Sequence, residues 1–414
     1  MSLPIMILGA GYEQYPLIKR AKDRGLYVIT LDKNPDAYGL SFADESHIIS
    51  VKDEKVILEL AGKKKITGIT SLICEAPLPA IGTVSRELGL PCISRKSIEA
   101  TTNKYKMREI LKEKGILNPK YAQLNVNMNL NNILTAAEAI GFPQVIKPIG
   151  QGGQRGLFKA GSKAELQEAL ARLKSTDLEQ EIIIEEFLEG EEINVVGLVL
   201  EGRIEALTIS ERIKDPYKSF GIVQRHLYPS NYSGKIIKAV EKLVEDIVAA
   251  IELENGMLFP QIIITEKGPL VIEMGARVPG GVMKELFEYA TGYDLLDLQI
   301  DFALGEKIAL EKYKKYPGFP AVTVKFLSAD PGPLTPGIVL EHYGIQEALK
   351  IPGVVKADFF QDPRRKMIKP LKTGSDRFFY LVAVGQTREE VIAQSDRAAE
   401  KIHFSVIPLP GENN

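Results

Sequence analysis

The sequence is poor in several things that would announce a function. It has only two cysteines, Cys74 and Cys92, far apart and with no Cys or His at metal-ligand spacing. A disulfide framework or a zinc site is therefore not expected, and both residues read as buried thiols. Lys+Arg number 52 against Asp+Glu 54, a formal net charge of -2. No basic excess exists to neutralise a polyphosphate backbone over a long footprint, which argues against nucleic acid as a partner. No apolar run reaches the roughly 18–20 residues that span a bilayer. The start, MSLPIMILGAG, has no basic stretch before its apolar run, so a cytoplasmic protein without membrane attachment is expected. Internal repeats and low-complexity segments are missing too.

What is there is ordinary globular material: 414 residues, 45% hydrophobic and 26% charged, enough for two or three domains with sizeable cores. The first hundred residues alternate short β-rich runs (PIMILGAG, YVITLDKNP, then 46–51 and 68–74) with helical patterns, which predicts a parallel αβ domain over 1–98. Residues 101–115, TTNKYKMREILKEKG, read as a charged amphipathic helix ending at Gly115. From 120 to 200 the order is strand, helix, strand, Gly-rich loop, strand, helix, strand, with a capping box at Ser162 and Glu165. Ile236, Val240, Leu243, Ile247 and Ile251 share one helical face. PQIIITEKGPLVIEMG then reads as a hairpin, and a region of short strands and a last helix over 387–402 follows from 305 to 414.

Three segments carry candidate chemistry. GQGGQRG at 150–156 follows the strand VIKP with Lys147; glycines let backbone N–H groups approach phosphate oxygens, or mark a plain flexible turn. It lacks the Gly-Lys-Ser/Thr of a Walker A loop. IIIEEFLEGEEINV runs a hydrophobic strand into carboxylates, which suits an adenine slot with a ribose acceptor or a charged strand end. With its turn centred on Lys267, the hairpin puts Gln261 opposite Glu273 on one face, a pair of oxygen donors for Mg²⁺, with Arg277 close behind.

In order, these segments resemble the ATP-grasp superfamily, and within it the carboxylate-amine ligases related to biotin carboxylase and the carbamoyl-phosphate synthetase large chain. The resemblance implies a Rossmann-like pre-ATP-grasp domain, an ATP-grasp fold of two α+β subdomains over 99–304 with its lid at about 120–190, and a C-terminal α+β region. It implies ATP and Mg²⁺ (or Mn²⁺) as cofactors. Lys104, Lys147, Gly152 and Gly153 would meet the phosphates, and Glu185, Phe187 and Leu188 the adenine. Glu192 would take the ribose, Gln261 and Glu273 the metal, and Arg277 with Lys147 the phosphoryl transfer. Arg212, Arg225, His226, Gly280 and Gly281 are candidates for the substrate pocket. Two departures stand out: Gln261 in place of a carboxylate, implying a weaker or more water-rich Mg²⁺ site, and Gly275 where many relatives have Asn.

The expected activity is ligation of a small-molecule carboxylate to an amine through an acyl phosphate, by a protein for which a homodimer is the default. Two alternatives stay open. ILGAGYEQ with Asp32 about 21 residues beyond Gly11 suggests a nicotinamide-dependent oxidoreductase, although Gln14 stands where a third glycine is wanted. Gln261 and Gly275 suggest an ATP-binding protein without catalysis.

Overall fold

Short runs of Ile, Val and Leu, bounded by Gly, Pro or charged turns, build four sheets in the computed structural model, which describes residues 2–150, 155–214 and 222–408. Gly152 and Gly153 lie outside the described residues. The N-terminal sheet is parallel, in the order β3-β2-β1-β4, with β1 Pro4–Leu8, β2 Tyr27–Asp32, β3 Glu45–Ile48 and β4 Gly68–Ser71. Its central strands are buried on both faces by helices, which is why β1 and β2 are apolar almost without alternation.

The second sheet is antiparallel, order β5-β8-β6-β7, from β5 Tyr121–Asn125, β6 Gln144–Pro148, β7 Phe158–Ala160 and β8 Glu181–Glu186. A third, of eight strands, starts with β9 Glu191–Leu200, β10 Arg203–Lys214, β11 Val223–Tyr228, β12 Gly256–Thr265, β13 Gly268–Gly275 and β14 Ala321–Leu327. The last strands are β15 Gly337–Tyr343, β16 Val354–Phe359, β17 Met367–Ile368, β18 Phe379–Gly385 and β19 His403–Ile407. The large sheet runs β13-β12-β9-β10-β11-β14-β18-β16, and β17-β15-β19 form the fourth. The break expected near 305 thus does not separate sheets: β14 pairs with β11 and carries β18 and β16 onto the same ladder. The helix Gly234–Ala250 buries Val240, Leu243 and Ile247 as its spacing predicts, each stabilising by about 1.5–3 kcal/mol.

Local details depart from expectation for identifiable reasons. The helix over 101–115 is two helices, because Asn103 ends Arg95–Thr102 and caps Lys104–Glu113 by accepting the Lys106 N–H. Only half of the capping box forms: Ser162 accepts the Glu165 N–H, while Glu165 reaches Gly161 instead of Ser162. The hairpin turn is Glu266–Lys267, with Thr265 opposite Gly268, one half-step from the expected centre. A bulge at Ile272 absorbs the difference and still sets Gln261 opposite Glu273. Cys74 and Cys92 are exposed, not buried, because both sit in connections and not on a core face. Among the described residues no helix is long and apolar enough to cross a membrane.

Gly190, between β8 and β9, has φ +148°, and a Cβ there would lie 2.2 Å from the Ile264 carbonyl oxygen. Gly190→Ala is expected to lower stability by about 2 kcal/mol or more, read as a shift of the urea midpoint at constant slope.

Candidate active site

Lys147 on β6 and Glu185 on β8 share a sheet face, since Val145 pairs with Glu185 and side chains two apart point the same way. Their charges meet, Nζ to Oε2, at 2.7 Å. On the other carboxylate oxygen sits Arg108 of the helix Lys104–Glu113, Nε to Oε1 at 2.7 Å, in a wholly buried side chain. Burial alone would raise the Glu185 carboxyl, but Arg108 and Lys147 overcome it and hold it at about 2. Burial pushes the Lys147 ammonium below its ordinary value against the pull of Glu185.

This buried trio is fastened to the hairpin. Ile272 has no partner in the β12–β13 register, and its carbonyl accepts from Lys147 Nζ at 3.2 Å and from Arg108 Nη2 at 3.3 Å. Arg108 also donates to the Val271 carbonyl at 2.6 Å. The next residue, Glu273, meets Lys104 at 3.2 Å and keeps 38% of its side chain open, which leaves a face for a cation. Lys104, Lys147, Glu185 and Glu273 are thereby brought together.

The pairing register extends the site across the large sheet. Glu273 pairs with Gln261, Gln261 with Asn194 and Asn194 with Ser210; Arg212 pairs with His226. By parity Glu192, Asn194, Arg212, His226, Gln261 and Glu273 all occupy one face. Both oxygens of Glu192 are bound, to Arg212 at 3.0 Å and Lys214 at 2.8 Å. Arg212 donates to Asn194 Oδ1 at 2.7 Å.

His226, a candidate for the substrate pocket, stands behind Asn194. It is buried, with Nδ1 3.0 Å from Asn194 Nδ2 and its ring edge-on to Phe326. Burial, then Arg212 and Arg377, push its pKa well down and keep it neutral. Nδ1 then accepts from the Asn194 amide, so His226 orients Asn194. Arg225, one residue away, faces the opposite side, bound to Ser395 and Asp396 of the C-terminal helix.

Glu185, expected near the adenine, carries a cation on each oxygen and so also positions Lys147. Phe187 spends its backbone N–H on the Pro143 carbonyl at 3.1 Å, and Lys159 Nζ lies 3.7 Å above its ring. The Phe187 carbonyl and Leu188 remain on the connection to β9. Arg277, just beyond β13, ion-pairs with Glu75 from the connection after β4. A Cβ on Gly275 would come within 2.8 Å of Glu75 Oε1, so a side chain here, such as the Asn of many relatives, would require the Glu75 carboxylate to shift. Gly280 and Gly281 form the turn into the helix Met283–Thr291, with the Gly281 N–H 3.4 Å from Glu13.

The sequence reading missed Arg108, Asn194, Glu75 and Glu13. Arg108 lies between Met107 and Leu111 on the buried stripe of its helix, and Asn194 is two residues beyond Glu192 on a strand. Both signals were present in the periodicity. The dinucleotide alternative is not favoured. Asp32 accepts from Ala10 N–H at 2.9 Å and Asn34 N–H at 2.9 Å, and the Gln14 side chain lies over Gly9 and Gly11, where a pyrophosphate would need to sit.

Residues 102–280 match the phosphoribosylglycinamide synthetase ATP-grasp (A) domain, and residues 333–406 match L-amino acid ligase C-terminal domain 2. A phosphoribosylamine-glycine ligase of Methanococcus vannielii is 28% identical over 315 residues, 66% of this chain and 67% of the relative. Among solved structures, the L-amino acid ligase from Bacillus licheniformis superposes with a TM-score of 0.80 at 20% identity, covering 98% of this chain and 99% of that one. The biotin carboxylase domain dimer of the Hydrogenobacter thermophilus 2-oxoglutarate carboxylase, in complex with MgADP and bicarbonate, gives 0.73 at 18% identity over 98% of this chain and 91% of that one.

Arg108→Leu leaves Glu185 one cation short inside the protein and is expected to cost about 3 kcal/mol or more in a denaturant titration. Glu185 titrates near 2 when folded, against its ordinary 4.5. Its share of stability is therefore complete above pH 4.5 and is lost as pH falls toward 2. Glu185→Gln should remove that slope from stability measured across the window.

Proposed function

We propose, from the matches to an ATP-grasp domain and an L-amino acid ligase C-terminal domain, that the chain is an ATP-grasp carboxylate-amine ligase that joins the carboxylate of an amino acid to an amine with consumption of ATP. The supporting observation is a charge surplus. Lys104, Arg108, Lys147, Arg212, Lys214 and Arg277 converge on the cleft against Glu75, Glu185, Glu192 and Glu273, six cations to four carboxylates. Such an excess suits a triphosphate.

The donor set also suits Mg²⁺. Among the described residues no group of three or more His, Cys, Asp or Glu could hold a metal alone, but Mg²⁺ commonly takes one or two carboxylates and completes its shell with phosphates and water. Glu273 and the Gln261 amide oxygen would hold it. MgATP, when bound, supplies the phosphoryl group that makes an acyl phosphate of the substrate carboxylate. Lys104 and Lys147 would offset phosphate charge, and Arg277, released from or shared with Glu75, would offset charge on the transferring group. Leu188 and the Phe187 carbonyl would edge the adenine. Glu192 would take a ribose hydroxyl only by giving up part of its hold on Arg212 and Lys214. Gly152 and Gly153 would lie over the phosphates. The same reading gives small-molecule carboxylate and amine substrates, a cytoplasmic setting and a homodimer.

The test is ADP release with Mg²⁺ and ATP across the proteinogenic amino acids, singly and in pairs. Turnover with at least one pair is expected, and Glu273→Ala should lower it by about 100-fold or more. Because Gln261 stands where a carboxylate was expected, tight ATP binding with no turnover on any pair would support the non-catalytic alternative.

A further inference from the structure

Beside Arg277 the chain turns through Pro279, Gly280 and Gly281, and against that turn lies a recess of about 160 Å³. Distant segments wall it: Tyr12 and Glu13 after β1, Ile73 after β4, Lys356 and Asp358 of β16, and Tyr380 of β18. Ile73 and Val282 flank it with φ of +75° and +63°. For β-branched residues such backbone costs about 1–3 kcal/mol each and persists where packing imposes it, often at ligand clamps.

The charges lining the recess do not balance. Its ionisable carboxylates are Glu13, Glu285 and Asp358, against the ammonium groups of Lys284 and Lys356. Both ammonium groups are engaged: Lys284 with Glu288 at 2.7 Å and Glu285 at 3.6 Å, Lys356 with Glu285 at 2.9 Å. Glu13 makes one long hydrogen bond, from the Gly281 N–H at 3.4 Å, and has no ion-pair partner among the described residues. Burial, and beyond it Glu285, push its carboxyl up, against the Gly281 N–H and the more distant Arg377 and Arg277. A half-buried carboxylate that no cation touches gains from a ligand that brings one into contact.

We infer that Glu13 is the counter-ion for the ammonium group of the substrate amino acid, and that the recess is the subsite where that end of the molecule sits. The site fits a small ammonium. Glu13 supplies the charge, and Pro279 and Gly280, which border the recess, follow Arg277 in the chain, so the carboxylate of the same molecule would lie on the side of phosphoryl transfer. The inference rests on the ligase reading above and adds a specificity-determining residue to it.

The experiment compares, by ADP release, an L-amino acid that supports turnover with the carboxylic acid of identical side chain lacking the amine, in wild type and Glu13→Gln. Wild type is expected to show a KM about 30-fold lower for the amino acid. In Glu13→Gln that preference should disappear through KM for the amino acid, with KM for ATP and for the amine-free acid unchanged. Equal KM values in wild type, or an unaltered amino acid KM in Glu13→Gln, would overturn the assignment of Glu13 while ADP release upheld the ligase. No ADP release with any acid would remove both. The wild-type comparison decides even where the variant fails to fold.

Discussion

A carboxylate as deep as Glu185 is tolerable only where cations meet it, and Arg108 and Lys147 meet it from two directions. Arg108 arrives on the helix that precedes the β5–β8 sheet, Lys147 from inside that sheet, and both also reach the Ile272 carbonyl on the hairpin. Three separate stretches of chain are tied at one point. The bulge makes this possible, because a residue left out of the ladder has a carbonyl to give away. Lys147 and Glu273 are neighbours for that reason, and every other polar group on the large-sheet face is placed by counting strands from there.

The two departures from the family pattern have local physical content. Gly275 lies beside Glu75, which crosses from the N-terminal sheet to pair with Arg277; a side chain at 275 would press on that carboxylate. Gln261 sits between Glu273 and Asn194 in the register, and Asn194 is itself held by Arg212 and His226. The amide-for-carboxylate exchange thus stands within a row already supplied with one cation, Arg212, bonded to Glu192.

Much of the fold was legible because hydrophobic period and turn chemistry are local. The strands around Lys147 and Glu185, the helix carrying Val240 and Ile247, and the facing of Gln261 and Glu273 could all be read in the sequence. The last held only because one bulge compensated a misplaced turn, and a bulge leaves no clear trace in residue types. Arg225 and His226 show a second boundary: adjacent strand residues point to opposite faces, and no local pattern says which face is the site. Glu185 shows a third, since a carboxylate at a strand end looks equally free whether or not an arginine seventy-seven positions earlier reaches it.

The ladder that runs unbroken from β11 through β14 to β18 and β16 ties the tail of the chain into the same hydrogen-bonded body as the hairpin carrying Gln261 and Glu273. Were the polypeptide to stop at 304, β11 would be left with a bare rim of N–H and C=O groups. Such a rim invites another molecule to add a strand, so the shortened protein would be prone to stick to itself, and the last hundred residues are as much a seal on that edge as a wall of the recess.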